Sequence, residues 1–320
     1  MLCSAKLLAL DDFPPWFLRG FGLVMGLLWG SFLNVVIHRV PRGMSVVRPA
    51  SHCPACGTPV APYDNVPVLA FLWLRGRARC CKAKLSWRYP AIEALVGLLA
   101  LGIVEVLVLR LPPETSLARG AAIFVADLAF VLGLVAAAFI DLEHVYIPAP
   151  IPLVGTLLGV ATSSLRALGF ADTALGAAIG FLSVWLPFDF LYRKLRGRTG
   201  MALGDAMLVM MAGAWFGWRG AVFALAAGSV HGVVAAGIVL AVKGSLDDSE
   251  AVQREREAVL AELEKMTPEE RQEATEALDP ILDDPGTGLG ARLPFGPFLA
   301  MAMLEYLYFG PEMTRWTLGF

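Results

Sequence analysis

Charge is scarce in this 320-residue sequence: Asp, Glu, Lys and Arg make up 17% of it, against 57% hydrophobic residues and a mean hydropathy of +0.64. That balance excludes an ordinary soluble domain. A removable leader is not expected either. The first apolar run exceeds the roughly 7–15 residues of a signal-peptide core and passes into "NVVIHRVPRG" with no small-residue cleavage site, so it reads as an uncleaved first span. No internal repeat is evident, and no nucleic-acid partner is expected. Cysteine is sparse, with five in all, and four of them fall in one loop. The formal net charge of −2 excludes little, because it averages a basic first loop with a later acidic stretch.

Long apolar runs are what remains. A hydrocarbon core of about 30 Å is crossed by about 20 helical residues, and such runs fall near 17–37, 90–109, 121–140, 151–168, 174–192, 203–218, 220–242 and 294–310. Their length and Val/Leu/Gly/Ala content suit helices better than barrel strands. The expected fold is an all-α integral membrane protein of about eight transmembrane helices, with a cysteine-containing cytosolic loop after the first. Arg39, Arg42, Arg48, Arg75, Arg77, Arg79, Lys82, Lys84 and Arg88 follow the first span against one acid, Asp64. Arg193, Lys194, Arg196 and Arg198 follow the fifth. Basic loops stay in the cytosol, which places both termini outside. It also puts the end of the third span, Asp141, and the start of the sixth, Asp205, on the same cytosolic face.

The expected organisation is an outer segment 1–16, a first span 17–37, a four-cysteine loop 38–89 and spans two to seven within 90–243. An acidic helical insertion follows at 244–293, then the last span and outer tail, 294–320. In the insertion, Val252, Val259, Leu260 and Leu263 recur at helical spacing, and "TPEE" supplies a helix start. Gly26, Gly30 and Ser31 permit close helix contact in the first span, and Asn34 is expected to hydrogen-bond a neighbouring helix. His231 is expected to be a satisfied core histidine.

Six acids lie in or at the ends of the spans: Glu93, Asp127, Asp141, Asp189, Asp205 and Glu305. Asp141 and Asp205 combine cytosolic access with a low-dielectric wall. Carboxylates brought close split their protonation, so that one stays ionised and can deprotonate a water while the other polarises a peptide carbonyl. Proton relays and transporters use the same residue types, and composition does not choose between them. Gly204 lets a backbone or an extended peptide come close to Asp205. In the loop, Cys53 and Cys56 of "HCPACG" have the spacing of a zinc knuckle, and Cys80 and Cys81 would close a four-thiolate site for a structural zinc ion. Reduced thiols without metal are the alternative, and a stable disulfide is not expected in the cytosol.

"GSFLNVVIHRVPRG", "HCPACG", "AKLSWRYPAIEALVG", "IDLEHVYIP", "GMALGD" followed by "GAWFGW", and "LPFGPFLAMA" stand in the order and spacing of the type IV prepilin peptidase family. The likeness runs from about residue 20 to 310, outside the acidic insertion. That family of bifunctional leader peptidases and N-methyltransferases groups with the GxGD membrane aspartyl proteases, which include presenilin and signal peptide peptidase. The resemblance implies that Asp141 and Asp205 are the catalytic pair. It implies prepilins or pseudopilins of type IV pili or type II secretion as substrates, cut at the cytosolic face of the bacterial inner membrane after a basic leader. The new N-terminus would then be methylated from S-adenosylmethionine; a peptidase without that second activity is the alternative. Gly204 matches the second Gly of GxGD, whereas Ala202, Ala206, Thr199 and Ala149 depart from the family pattern. Ala78 stands at the place of the family's third cysteine, with Cys80 as its substitute.

Overall fold

The structure, a computed structural model, describes residues 8–196, 203–244, 253, 257, 260–267 and 294–318; for 196 and 311–318 it describes the backbone alone. Among these residues there is no strand, only three isolated bridges. The helices are α1 (Pro15–Arg39), α2 (Leu69–Trp73), α3 (Arg88–Ile103), α4 (Leu117–His144), α5 (Pro150–Ala161), α6 (Phe170–Val184), α7 (Tyr192–Arg196), α8 (Leu203–Lys243) and α9 (Gly296–Leu318). Looser turns extend α3 through Val104–Val108 and join α6 to α7 through Trp185–Leu191.

Among the described residues five stretches are long and apolar enough to cross a membrane: Pro15–Arg42, Arg88–Val108, Leu117–His144, Phe170–Leu195 and Leu203–Lys243. The run expected at 151–168 forms a shorter apolar helix, α5, and then a single tight turn, Ser163–Arg166. Most of the insertion expected at 244–293 lies outside the described residues; of its apolar positions, Leu263 is buried and Leu260 exposed.

The chain divides into two compact units, 1–136 with 157–169 and 307–320, and 137–156 with 170–306. In the first unit, glycines bring α1 against α3. A Cβ on Gly26 would lie 2.7 Å from the Val96 carbonyl oxygen, and one on Gly30 would lie 2.9 Å from Glu93 Cα. Only glycine fits such an approach, and the close contact gives dispersion energy that lipid cannot supply. Asn34 meets its expectation, donating across the same seam to the Tyr89 carbonyl at 3.2 Å.

In the second unit, α6 packs along α8, with Gly176 facing Gly213 and Gly180 facing Val209. The long helix α8 is broken at Gly217, whose φ of 71° and ψ of −176° are open to glycine almost alone. The sequence placed the boundary between its sixth and seventh runs at this point. The break folds α8 back on itself. Gly204 near one end and Gly232 in the second arm both lie against the region of Phe295 and Gly296, through Ile147 and directly. Phe216 and Phe223, on either side of the break, both pack on Tyr306, with ring centroids 5.0 and 5.2 Å away. Inside the first arm Trp215 is fully buried and donates its indole N–H to the Gly155 carbonyl at 2.8 Å.

Candidate functional site

Asp141 is carried on the last turn of α4 and Asp205 on the first turn of α8, both in the second unit. They are 5% and 7% exposed, which is deep for carboxylates. The start of α9 turns the Gly296 N–H toward Asp141 Oδ2 at 2.9 Å. A backbone N–H at a helix start carries partial positive charge, and it is a strong partner for an ionised carboxylate. Ile147 holds this end of the unit together. A Cβ on Gly296 would meet Asp141 Oδ2 at 2.8 Å and Ile147 Cδ1 at 3.0 Å, while one on Gly204 would meet Ile147 Cβ at 2.9 Å. The start of α8, which bears Asp205, and the start of α9, whose amide meets Asp141, are thus packed on the same isoleucine. The space beside Gly204 on that side holds Ile147, so the glycine serves backbone packing there.

The segment between Asp141 and Ile147 is tightly turned. Val145 donates its N–H to the Asp141 carbonyl at 2.8 Å and adopts φ 54°, a region that β-branched residues rarely enter. Strain of this kind collects where side chains must be held in place. Pro148 and Pro150 then start α5 in a new direction.

The other acids lie elsewhere. Asp127 is buried in the first unit with Oδ1 lacking a hydrogen bond among the described residues. Asp189 pairs with Arg193 one turn on. Glu305 lies 3.1 Å from His231 Nε2, and His231 Nδ1 is buried with no partner among the described residues. Glu93 is 9% exposed and accepts the Val68 N–H at 2.7 Å.

The loop brings its four cysteines together, with all four sulfurs within 4.8 Å of one another. Cys53 Sγ is 3.7 Å from Cys81 Sγ and Cys56 Sγ 3.2 Å from Cys80 Sγ. A tetrahedral ion with bonds of about 2.3 Å holds its sulfurs about 3.8 Å apart, so the cluster could bind a metal with small adjustments.

Two loops of matching hydrogen-bond pattern present the thiols. Cys53 N donates to Thr58 O at 2.8 Å and Gly57 N to Cys53 O at 2.9 Å; Ala78 N donates to Ala83 O and Lys82 N to Ala78 O, both at 2.9 Å. Gly57 and Lys82, at matching positions, have φ of 72° and 59°. Superposing one pattern on the other sets Ala78 opposite Cys53 and Cys81 opposite Cys56. Cys80 therefore supplies its thiol from a different corner of the loop, which is how two adjacent cysteines reach two different partners.

Arg79, between Ala78 and Cys80, is gripped by Asp64 at 2.8–3.0 Å, and this pairing holds the Asp64 carboxyl below its usual range. A hydrogen bond with the Thr58 side chain lowers the Cys56 thiol to about 6, and the bond to Cys56 pushes Cys80 up to about 12. One ready thiolate is thus set beside a protonated thiol.

The amide of Gly296 and the packing of Ile147 escaped the sequence reading. They lie in "LPFGPFLAMA" and "IDLEHVYIP", motifs whose backbone roles leave no side-chain trace.

Comparison with known proteins bears on the same segments. Residues 24–118 match the Bacterial Peptidase A24 N-terminal domain and residues 128–237 the Type IV leader peptidase family. A protein of Myxococcus xanthus named prepilin leader peptidase/N-methyltransferase is 36% identical over 317 residues, covering 92% of this chain and 91% of its own length. Proteins of the same name from Aeromonas hydrophila and Pseudomonas aeruginosa are 30% and 29% identical, covering 98% and 93% of this chain and 98% and 92% of their own. No solved structure matches. With likeness at this level over nearly the whole of both chains, the chain belongs to the family of prepilin leader peptidases.

Proposed function

We propose that this protein is a membrane aspartyl endopeptidase that removes the basic leader of type IV prepilins or pseudopilins and then methylates the new N-terminus from S-adenosylmethionine. Asp141 and Asp205 perform the hydrolysis. The observation that carries this is the burial of both carboxylates in one unit, Asp205 on a helix start packed on Ile147 and Asp141 bonded by the N–H of a second helix start on the same isoleucine.

Two carboxyls in such a site share a proton. Asp141, which accepts the Gly296 N–H, is the better placed to stay ionised and draw a proton from the attacking water. Asp205 then donates to the carbonyl oxygen, and the acid formed at Asp141 protonates the leaving amine. The bond between leader and mature pilin breaks with no covalent intermediate.

In this reading the chain crosses the inner membrane eight times, with the two arms of α8 counted separately, both termini outside and the aspartates toward the cytosolic face. The four-cysteine loop lies in the cytosol and holds a structural zinc ion through Cys53, Cys56, Cys80 and Cys81. The insertion is a further cytosolic element. Co-expression with a prepilin, followed by mass measurement of the pilin N-terminus, tests the proposal. A pilin shortened by its leader and heavier by one methyl group is expected, and an unshortened pilin rejects the reading.

A further inference from the structure

The short helix α2 in the cysteine loop is two-sided. Ala70, Phe71 and Leu74 turn inward, toward the space between the loop and the ends of α1 and α3. Leu69, Leu72 and Trp73 stand three and four residues apart and so share the opposite face. They are 65%, 55% and 83% exposed, and Trp73 is the most open large apolar side chain among the described residues. A contiguous apolar face of this kind marks a surface that something else covers.

Two contacts fix the level at which this face lies. Phe71 packs on Trp87 with ring centroids 4.6 Å apart, and Trp87 immediately precedes Arg88, where α3 begins a stretch long and apolar enough to cross a membrane. Val68, the residue before α2, donates its N–H to Glu93 Oε2 at 2.7 Å. Glu93 lies five residues beyond Arg88, about 8 Å along α3 at roughly 1.5 Å per residue. An amphipathic helix in a membrane interface sinks its apolar face by about 5–10 Å, the depth to which this tether holds α2. The surrounding charge has one sign. Between residues 40 and 89 the sole acid is Asp64, and Arg79 holds it. Arg75 and Arg77 follow α2 directly and are exposed, and a bridge from Arg77 to Lys84 brings a third exposed cation to the same edge. Among the described residues no carboxylate pairs with these three.

We propose that α2 is an interfacial anchor: Leu69, Leu72 and Trp73 insert into the leaflet that α3 enters at Arg88, and Arg75, Arg77 and Lys84 gather anionic phospholipid headgroups around them. An indole seats at the border between acyl chains and headgroups, and long basic side chains reach from there to phosphate. Lipid is the occupant that this depth supplies, and the basic edge selects its anionic form. The cysteine loop then lies flat on the bilayer instead of projecting from it. The inference rests on α3 crossing the membrane and on neither enzymatic activity.

The test uses the full-length protein in lipid nanodiscs, with Trp73→Phe to isolate the Trp73 share of tryptophan emission. Trp73, Arg75 and Arg77 are exposed, so substitutions there disturb no packing. Phospholipid brominated near the headgroup end of its acyl chains quenches the rings it touches, and iodide quenches rings open to water. Trp73 emission should be lost to the brominated lipid and spared by iodide. Competition between brominated phosphatidylglycerol and plain phosphatidylcholine should show preference for the anionic lipid. That preference should fall about fivefold with each of Arg75→Gln and Arg77→Gln, roughly what one basic residue contributes at an anionic surface. Quenching by iodide and not by lipid overturns the proposal, because the face then lies in water. Shielding from both quenchers overturns it in favour of a protein partner or a second copy of the chain. Equal affinity for the two lipids overturns it as well, since the basic edge would then play no part.

Discussion

Gly296 presents its backbone N–H to Asp141 Oδ2 at 2.9 Å, and the absence of a side chain at 296 makes that approach possible. The donor belongs to the peptide bond, so substitution leaves it in place and acts through space alone. In Gly296→Ala the added methyl would meet Asp141 Oδ2 at 2.8 Å and Ile147 Cδ1 at 3.0 Å. The carboxylate must shift, and displacement on this scale costs up to about 100-fold in rate. Steady-state cleavage of a prepilin peptide in detergent should show the loss mainly in kcat. A variant cleaving at the original rate would mean that Asp141 tolerates movement and has no precise partner.

The two aspartates should behave alike under charge removal and differently from the other acids. Asp141→Asn and Asp205→Asn are each expected to cut leader removal by about 10²–10⁴-fold or more while the protein remains inserted. Asp127→Asn and Glu305→Gln are expected to retain it. Pilin mass spectra from cells carrying each variant decide the matter, and efficient processing by either of the first two variants would remove the assignment.

Metal content should follow the unusual placement of the second cysteine pair. Purified protein is expected to hold one zinc ion, lost in Cys53→Ser and in Cys80→Ala. Because Ala78 matches Cys53 in its hydrogen-bond pattern, adding Ala78→Cys to Cys80→Ala should bring the metal back. Metal analysis of these variants checks both points.

Gly217 should tolerate no side chain. Nothing lies within 4 Å of an added Cβ there, so any cost comes from the backbone, about 1–3 kcal/mol for a region nearly closed to other residues. Thermal unfolding of Gly217→Ala in detergent should show that loss. An unchanged midpoint would indicate that the reversal needs no special residue.

Much of the fold is legible in the chain because a bilayer demands length and apolarity that nothing else requires; the helices beginning at Pro15, Arg88, Leu117, Phe170 and Leu203 fall where the apolar runs do. The spacing of Cys53 and Cys56 likewise announces a cluster of thiols, and Asp141 and Asp205 stand out by their position at apolar boundaries. What stays hidden is backbone work. The Gly296 amide, the positive φ of Val68 and Val145, and the crossing of Cys80 and Cys81 to different partners depend on where distant segments meet. An adjacent cysteine pair looks like a poor chelator until its loop is seen to turn one thiol each way. Gly204 shows the same limit from the other side: its residue type announces a close approach, and only the fold shows that Ile147 is one of the neighbours it admits.

The fold-back at Gly217 also sets a depth. At 1.5 Å per residue Asp205 lies about 18 Å along the first arm from the reversal, against roughly 30 Å for a hydrocarbon core. In the proposed orientation Trp218 and Arg219 would anchor the bend at one lipid border, and the carboxylates would stop well short of the opposite one. Hydrolysis would then happen in a well sunk beneath the headgroups, into which the pilin would have to lower its cleavage point.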